Sequence, residues 1–136
     1  GWRIFGNQIA EVTAPTVKMT MIARVRAASP QQYAEMCKNV PAQLVSGNDL
    51  VSGAYLIKAE SEPYIVQIST DDGRLVDAVD PTRIDVIFTI EAQVTSGTVT
   101  KIGTQEVRAG RTFTVKTKYI EHIAVIETLT FDDGGE

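Results

Sequence analysis

The stretch VKMTMIARVR at Val17–Arg26 alternates apolar and polar side chains, which is the period-2 pattern of a half-buried β-strand. It is followed by a glycine turn between apolar residues, VSGNDLV at 45–51, and by another apolar run, AYLIK at 54–58. The same order of strand, glycine turn and strand recurs in three later stretches at a nearly constant offset: DVIFTIE at 85–91, VRAGRTF at 107–113 and HIAVI at 122–126. This internal repeat predicts two interlocked β halves that close one small barrel or sandwich around a shared core.

One helix is predicted between the first two β-runs. Ser29 can cap its N-terminus, Pro30 fits the first helical position, and Gln32 stands at the spacing of a capping box. Pro41 disfavours helical geometry at the preceding residue, so the helix is expected to end near Val40. A helix this short needs tertiary support, and we expect it to dock on the sheet and close one end of it. Its predicted apolar face consists of Tyr33, Met36, Cys37 and Val40.

The other β-runs are short and separated by turn residues, which predicts an all-β fold class with one short helix. Asp71–Arg74 is predicted to be a hairpin turn whose glycine supplies a positive φ, and Asp80–Arg83 a further turn fixed by its proline. Arg24 and Arg26 fall on one face of the first strand and are expected to keep that face in water. Strands are expected near residues 17–26, 54–59, 64–69, 74–79, 84–92, 98–102, 112–117 and 123–131.

The length and the composition are ordinary for a soluble globular protein with one domain. The 136 residues suffice for one core, which we assign to residues 17–131, with a lead-in at 1–16 and an acidic, glycine-rich tail at 132–136. The net charge is −4 and the thirteen Lys and Arg residues are dispersed, which argues against nucleic-acid binding. A single cysteine excludes an internal disulfide framework and a cysteine-based structural zinc site.

The first residues are of the types found where a chain meets a membrane. Trp2, Arg3 and Phe5 are typical of the flank of a membrane span, although no run in this chain approaches the roughly 20 apolar residues needed to cross a bilayer. The alternative is that Trp2 and Phe5 pack onto the β domain. Because the chain opens with Gly1 and no Met, we expect a fragment, a processed form or a tag remnant.

No catalytic, cofactor-binding or metal-binding set is predicted. His122 stands between apolar residues on a strand, where Glu121 points to the opposite face, so it lacks an orienting acid. Cys37 falls on the predicted apolar helix face and is expected to be a buried small hydrophobe. Five aspartates lack the alternating ligand spacing and the closing glutamate of a calcium loop: Asp71, Asp72, Asp77, Asp80 and Asp85.

The densest basic cluster, composed of Arg108, Arg111, Lys116 and Lys118, is the clearest candidate surface. It could meet an anionic lipid, a glycan or another polymer. On an edge strand, however, such charges also prevent edge-to-edge pairing, which is the commoner reason for them. Both interpretations remain open at the level of the sequence.

Several stretches carry a resemblance to a known family through their order and spacing: residues 1–6, the strand before Ser29, and residues 47–50, 70–74, 85–90, 102–110 and 115–117. They resemble the bacterial family called domain of unknown function 4330, and the resemblance covers nearly the whole chain. Members of that family are similar in carrying one N-terminal membrane helix followed by a β-rich domain of this size. The chain departs from that pattern at Asn48, which interrupts a glycine-to-aspartate step in the first turn, and in the absence of the membrane helix, which is expected if the chain starts just after it. The resemblance implies membrane anchoring and supplies no catalytic residues.

The preferred hypothesis is a non-enzymatic domain outside the cytoplasm of a bacterium, tethered by a single N-terminal span. It would serve in envelope assembly, in transport or in binding an unidentified protein or envelope component. An alternative is a soluble ligand-binding module or enzyme with a site between the β halves, where Asp49, Asp85, Arg111 and Lys116 would converge. A third possibility is self-association through edge strands beside residues 108–118.

Overall fold

The computed structural model describes residues 15–95, 97 and 99–132 of the chain. Within these ranges the protein is mainly β with one short helix, which confirms the predicted fold class. The elements in chain order are β1 (Thr16–Ala28), α1 (Pro30–Lys38), β2 (Ala42–Ser46), β3 (Asp49–Ser69), β4 (Leu75–Thr95), β5 (Lys101–Ile102), β6 (Gln105–Glu106), β7 (Thr112–Lys116) and β8 (Glu121–Asp132).

Six of the strands form one antiparallel, nearly closed, barrel-like sheet in the order β2-β3-β4-β1-β8-β7. The two outer strands approach each other, because an isolated antiparallel bridge joins Leu44 of β2 to Thr117, just after β7. The Lys116 ammonium also donates to the Gly47 carbonyl oxygen at 3.0 Å across the same gap. Strands β5 and β6 form a separate two-stranded hairpin.

The strand order agrees with the interlocked halves predicted from the repeat. The first half supplies β1, β2 and β3, and the second supplies β4, β7 and β8. Exchanging β1 with β4, β3 with β8 and β2 with β7 leaves the order of the sheet unchanged. The two halves are interlocked because β1 pairs with β4 and β8, both from the other half.

The core lies on the inner face of this sheet and follows the alternation of the strands. Met19, Met21 and Ala23 of β1 are fully buried, while the intervening side chains point outward. The same alternation in β4 buries Val86, Phe88, Ile90, Ala92 and Val94. Burial of this continuous apolar surface is the main favourable term in folding.

The helix forms as predicted, and one of its residues is placed differently. Ser29 and Gln32 form the reciprocal capping box, and Met36 is completely buried in the core. Cys37, which was predicted to be buried, is exposed, and its thiol lies 3.9 Å from the Ala59 carbonyl oxygen. The buried face is narrow and centred on Met36, so that a residue rotated by one position from it already reaches the border with solvent.

Strands β3 and β4 continue beyond the sheet as a two-stranded ribbon, residues 65–79, which we call the arm. Its paired positions run from Ile65 opposite Val79 to Ser69 opposite Leu75. Within the described chain no third strand pairs with it, since β1 reaches only Ile84 of β4. The predicted hairpin turn at Asp71–Arg74 is confirmed at the tip of the arm, where Gly73 has a φ of +85°.

The second predicted turn, at Asp80–Arg83, is wrong, because β4 runs through it. Between the pairs Pro63–Ile84 and Ile65–Val79, β3 has one residue, Tyr64, and β4 has four. These four residues therefore form a bulge at the root of the arm rather than the end of a strand. Proline is accommodated there because a bulge needs no ladder hydrogen bond from its nitrogen.

Some predictions concern residues outside the described ranges. The lead-in at 1–14, the tail at 133–136 and positions 96 and 98 belong to this group. Of the strand predicted at 98–102, only Lys101–Ile102 is assigned to a strand. Among the residues that the structure does describe, no helix combines the length and the apolar character required to span a membrane.

The packing of the β5–β6 hairpin on β2 can be tested at two glycines with nearly the same backbone conformation, Gly103 (φ +61°) and Gly47 (φ +63°). A Cβ at Gly103 would lie 2.8 Å from the Ser46 Cβ, whereas a Cβ at Gly47 would meet nothing within 4 Å. Gly103→Ala is expected to lower the free energy of unfolding by about 1 kcal/mol more than Gly47→Ala, because only the former adds a steric clash to the cost of a positive φ. Urea denaturation of both variants measures this difference, and equal losses would contradict the proposed contact.

Candidate functional site at the root of the arm

The outer face of the sheet carries a charged cluster centred on Arg24 of β1. Its guanidinium donates to three carboxylates on three other strands, at 2.5 Å to Glu127, 2.7 Å to Asp85 and 2.8 Å to Glu62. Because these partners lie on β8, β4 and β3, one side chain connects four adjacent strands. The prediction that the two arginines of this face stay in water holds for Arg26, which is 54% exposed, but not for Arg24, whose side chain is only 24% exposed.

Asp85 occupies its position because β1 contains a bulge opposite it. Between the pairs Val25–Val86 and Ala28–Ile84, β1 has two residues and β4 has only Asp85. Ala27 adopts a φ of +60° in this bulge, and its amide donates to the Asp85 carboxylate at 3.1 Å. Asp85 is 3% exposed, and its burial is compensated by Arg24, by the bulge amide and by Arg26, whose Nε lies 3.1 Å from the carboxylate.

Side chains of β1 and β4 also hold the root of the arm. The Arg26 guanidinium lies 5.0 Å from the centre of the Tyr64 ring and donates to the Ile65 carbonyl oxygen at 3.3 Å. Arg83, from the β4 bulge, donates to the Ala27 carbonyl oxygen at 2.9 Å. Each of the two bulges is therefore attached to the strand opposite it, and the direction in which the arm leaves the sheet is fixed.

Hydrogen bonds at both ends of the arm favour ionised carboxylates. Thr82 donates to Asp80 through its hydroxyl at 2.7 Å and its amide at 2.9 Å, and these bonds lower the pKa of Asp80. At the tip, the Thr70 hydroxyl and the Arg74 backbone and side chain donate to Asp72, which lowers the pKa of that carboxyl. Both groups therefore carry negative charge at neutral pH.

The arm itself is apolar on its surface and acidic in charge. The paired positions Val66–Ala78 and Ile68–Val76 place four apolar side chains on one face. On the other face Leu75 is 64% exposed and Val79 is 57% exposed. The arm carries three carboxylates and one guanidinium, for a net charge of −2: Asp71, Asp72, Asp77 and Arg74.

The Arg24 cluster borders a shallow depression of about 430 Å³ that also includes Pro63 and Ile65. The pKa of Arg24 is raised above its ordinary value, chiefly by the hydrogen bond to Glu127 and further by Asp85 and Glu62. Because its donors are engaged by carboxylates of the same chain, this guanidinium has little capacity to bind an anionic substrate. The chemistry of the cluster is that of a strand-to-strand connection.

The candidate residues predicted from the sequence lie in three separate places. Lys116 and Lys118 line a depression of about 320 Å³ together with the apolar Val45 and Leu50, which we call the lysine depression. Asp49 is exposed at the start of β3 and does not line it.

Arg108 and Arg111 both face one carboxylate, that of Glu106, at 3.8 Å and 3.4 Å. Asp85 lies under Arg24 on the outer face of the sheet, as described above. Among the described hydrogen bonds and ion pairs, none joins any two of Asp49, Asp85, Arg111 and Lys116.

The two nucleophile or base candidates are His122 and Cys37. His122 is half-buried with its ring 6.5 Å from that of Phe88 and lines a depression of about 400 Å³ with Glu35 and Glu121; burial lowers its pKa despite the opposing charge of Glu121. The exposed Cys37 has its thiol 3.9 Å from the Ala59 carbonyl oxygen, and its hydrogen bond with Tyr33 is the main cause of the raised pKa of that tyrosine. Across the described ranges, no group of three or more His, Cys, Asp and Glu side chains is arranged to hold a metal ion.

Sequence reasoning missed Arg24, Glu62 and Glu127 as members of one cluster. The available signal was the pair Arg24 and Arg26, two cations at alternate positions near the end of the first strand. Their partners depend on register shifts at the bulge in β1 and between β1 and β8, which a sequence pattern does not encode.

These features define a mainly β, barrel-like domain with a projecting acidic arm. The chain belongs to the family described as Domain of unknown function (DUF4330), whose model matches residues 2–130. Comparison with curated proteins found no match, and comparison with solved structures found none either.

Removal of the Arg24 guanidinium should expose its importance for stability. Arg24→Met is expected to lower the free energy of unfolding by about 3 kcal/mol, because the buried Asp85 carboxylate loses its main countercharge. Arg26→Met removes the second and more exposed cation of Asp85, whose Nε lies 3.1 Å from that carboxylate, and should cost less than Arg24→Met, since the Arg26 side chain is 54% exposed. Denaturant unfolding measures both values. Arg24→Met combined with Asp85→Asn should recover part of the loss, and equal effects of the two single variants would contradict this account.

His122 should make the stability of the domain depend on pH. Burial lowers its pKa in the folded state, so the unfolded chain binds more protons as the pH falls through the ordinary histidine range. The free energy of unfolding should therefore decrease from pH 7 towards pH 5, and this component should be absent in His122→Gln. Denaturant titrations of the two proteins across that range test the prediction. Parallel pH profiles would show that His122 does not contribute.

Proposed function

We propose that this protein is a non-enzymatic binding domain of a membrane-anchored bacterial protein and that it acts outside the cytoplasm through its arm. The observation that carries the proposal is the arm itself, a two-stranded ribbon with exposed apolar side chains and a net charge of −2. An isolated hairpin is marginally stable in water. Its attachment by Arg26 and Arg83 supports a role in presenting this ribbon to a partner.

The exposed apolar residues of the arm support a role in partner binding, because such residues do not favour solubility. Ile65, Ile68, Leu75 and Val79 are each at least 40% exposed on this one projection. Clustered apolar side chains of this kind mark interaction surfaces in soluble domains. An exposed hairpin can contribute both side chains and the free backbone groups of its edges to a partner.

The non-enzymatic part of the proposal is motivated by the surroundings of the reactive side chains. The Arg24 guanidinium is engaged by three carboxylates, and His122 faces an aromatic ring. Anchoring is motivated by the interfacial residue types Trp2, Arg3 and Phe5 and by the family resemblance. Envelope assembly and transport are both processes in which a tethered binding domain of this kind would serve.

The location can be tested with the intact gene expressed in its own bacterium. A reporter that is active only outside the cytoplasm, fused after Asp132, should be active, and the protein should fractionate with membranes. Reporter activity only from a fusion partner that works in the cytoplasm would overturn the proposed location.

The binding role can be tested by crosslinking in living cells from a photoreactive side chain placed in the arm. Incorporation at Leu75 is expected to give a discrete higher-mass adduct, because that side chain is 64% exposed on the face of the arm that also carries Asp77 and Val79. Incorporation at Glu35, an exposed position on α1, is the matched control and should give no such adduct. Adducts of equal yield from both positions, or from neither, would contradict a role of the arm in partner binding.

A further inference from the structure

The partner of the arm can be inferred from the charges that remain unpaired on the described surface. We propose that the arm of one molecule docks in the lysine depression of a second copy of this chain. This inference rests on the proposed binding role of the arm and names its partner. It depends on the match between two surfaces that belong to the same molecule but do not contact each other within it.

The arm presents two carboxylates that no cation of the described chain neutralises. Asp72 is paired with Arg74 at 3.0 Å, whereas Asp71 and Asp77 form no ion pair within 4 Å among the described residues. Both are exposed. Asp77 lies beside the exposed Leu75 and Val79 on one face of the ribbon, so that an apolar surface and a negative charge are presented together.

The lysine depression presents the complementary features. Lys116 and Lys118 line it, and neither forms an ion pair with a carboxylate in the part of the chain that the structure describes. Val45 and the 61% exposed Leu50 supply apolar lining. Two carboxylates, Asp49 and Glu121, are close in sequence or register but do not line the depression. Among the described residues, two ammonium groups without a carboxylate partner therefore match two carboxylates without a cation partner, and both sets lie beside apolar side chains. The ammonium of Lys116 also donates to the Gly47 carbonyl oxygen.

A contact between two arms is disfavoured by the same charges. Each arm has a net charge of −2, so bringing two of them together adds like-charge repulsion. Docking in the lysine depression instead joins opposite charges, which also increases the rate of association at low ionic strength. The arm is thus suited to a surface other than itself.

The proposed contact is heterologous, because it joins two different surfaces. Every copy has one arm and one lysine depression, so that association continues until a ring closes or an open chain of copies forms. Edge pairing of strands is not required for it. The assembly should weaken as salt is added, since the charges concerned are exposed.

Two charge-reversed variants and their mixture test the proposal. The arm variant carries Asp71→Lys and Asp77→Lys, and the depression variant carries Lys116→Glu and Lys118→Glu. Sedimentation velocity across concentration should show that the wild-type chain associates and that each variant alone is monomeric, because like charges then face each other. An equimolar mixture of the variants should associate again, since every arm then meets a depression of opposite charge.

Matched variants on other surfaces serve as controls. Lys38→Glu with Lys58→Glu makes the same change of net charge as the depression variant, and Glu35→Lys with Glu60→Lys the same change as the arm variant. All four of these side chains are exposed. Both controls should associate like the wild type. Circular dichroism and thermal unfolding of every variant check that the fold is retained.

Three results would overturn the proposal. They are a wild-type chain that stays monomeric at all concentrations, a depression variant that associates like the wild type, and a mixture in which association does not return. The crosslinking experiment is independent of these. An adduct from Leu75 with the mass of two copies supports the proposal, whereas an adduct of another mass would retain the binding role of the arm and reject a second copy as its partner.

Discussion

The Arg24 guanidinium is the interaction on which the outer face of this protein depends. It lies on β1, in the middle of the six-stranded sheet, and binds carboxylates from β8, β4 and β3. Without a cation at this position, Glu62 and Asp85 would face each other as register partners with like charge. Arg24 therefore permits an acidic pair on neighbouring strands, and with it the arrangement in which a buried Asp85 stabilises the bulge of β1.

The two bulges, one in β1 and one in β4, determine which side chains of β1 face inward and where the arm leaves the sheet. The bulge in β1 reverses which side chains of that strand face inward, so that Ala28 is buried although Arg26 is not. The bulge in β4 separates the arm from the sheet, and Arg83 attaches it to Ala27. A carboxylate, an arginine and two irregularities of pairing thus determine where the regular sheet ends and the projecting ribbon begins.

Sequence reasoning predicted those features whose causes are local. The capping box at Ser29 and Gln32, the alternation of β1 and the hairpin turn at Asp71–Arg74 depend on residues within a few positions of one another. The repeat also predicted the interlocked halves, because equivalent segments tend to occupy equivalent places in a sheet.

Features that depend on partners far along the chain were not predictable in this way. Arg24 and Glu127 are 103 residues apart and meet only because the register between β1 and β8 shifts by one residue at that level. In the sequence, Pro81 indicates a turn. The strand is seen to continue through it only from the pairing of Ile84 and Val79 with β3. The burial of Cys37 was predicted wrongly for a similar reason, because the width of the buried face of a helix depends on the elements that pack against it.

The interlocked strand order has a consequence for synthesis on the ribosome. The residues of β4 and β8 that pair with β1 lie at least 56 positions downstream of their partners, so the backbone groups and the methionines of β1 have no sheet partner while the first half emerges. The hairpins β2–β3, β3–β4, β5–β6 and β7–β8 can each form from segments that are adjacent in the chain. The nascent chain must keep an apolar strand from aggregating until β4 and β8 have been synthesised, and this delay, together with the long loop closures, makes folding comparatively slow.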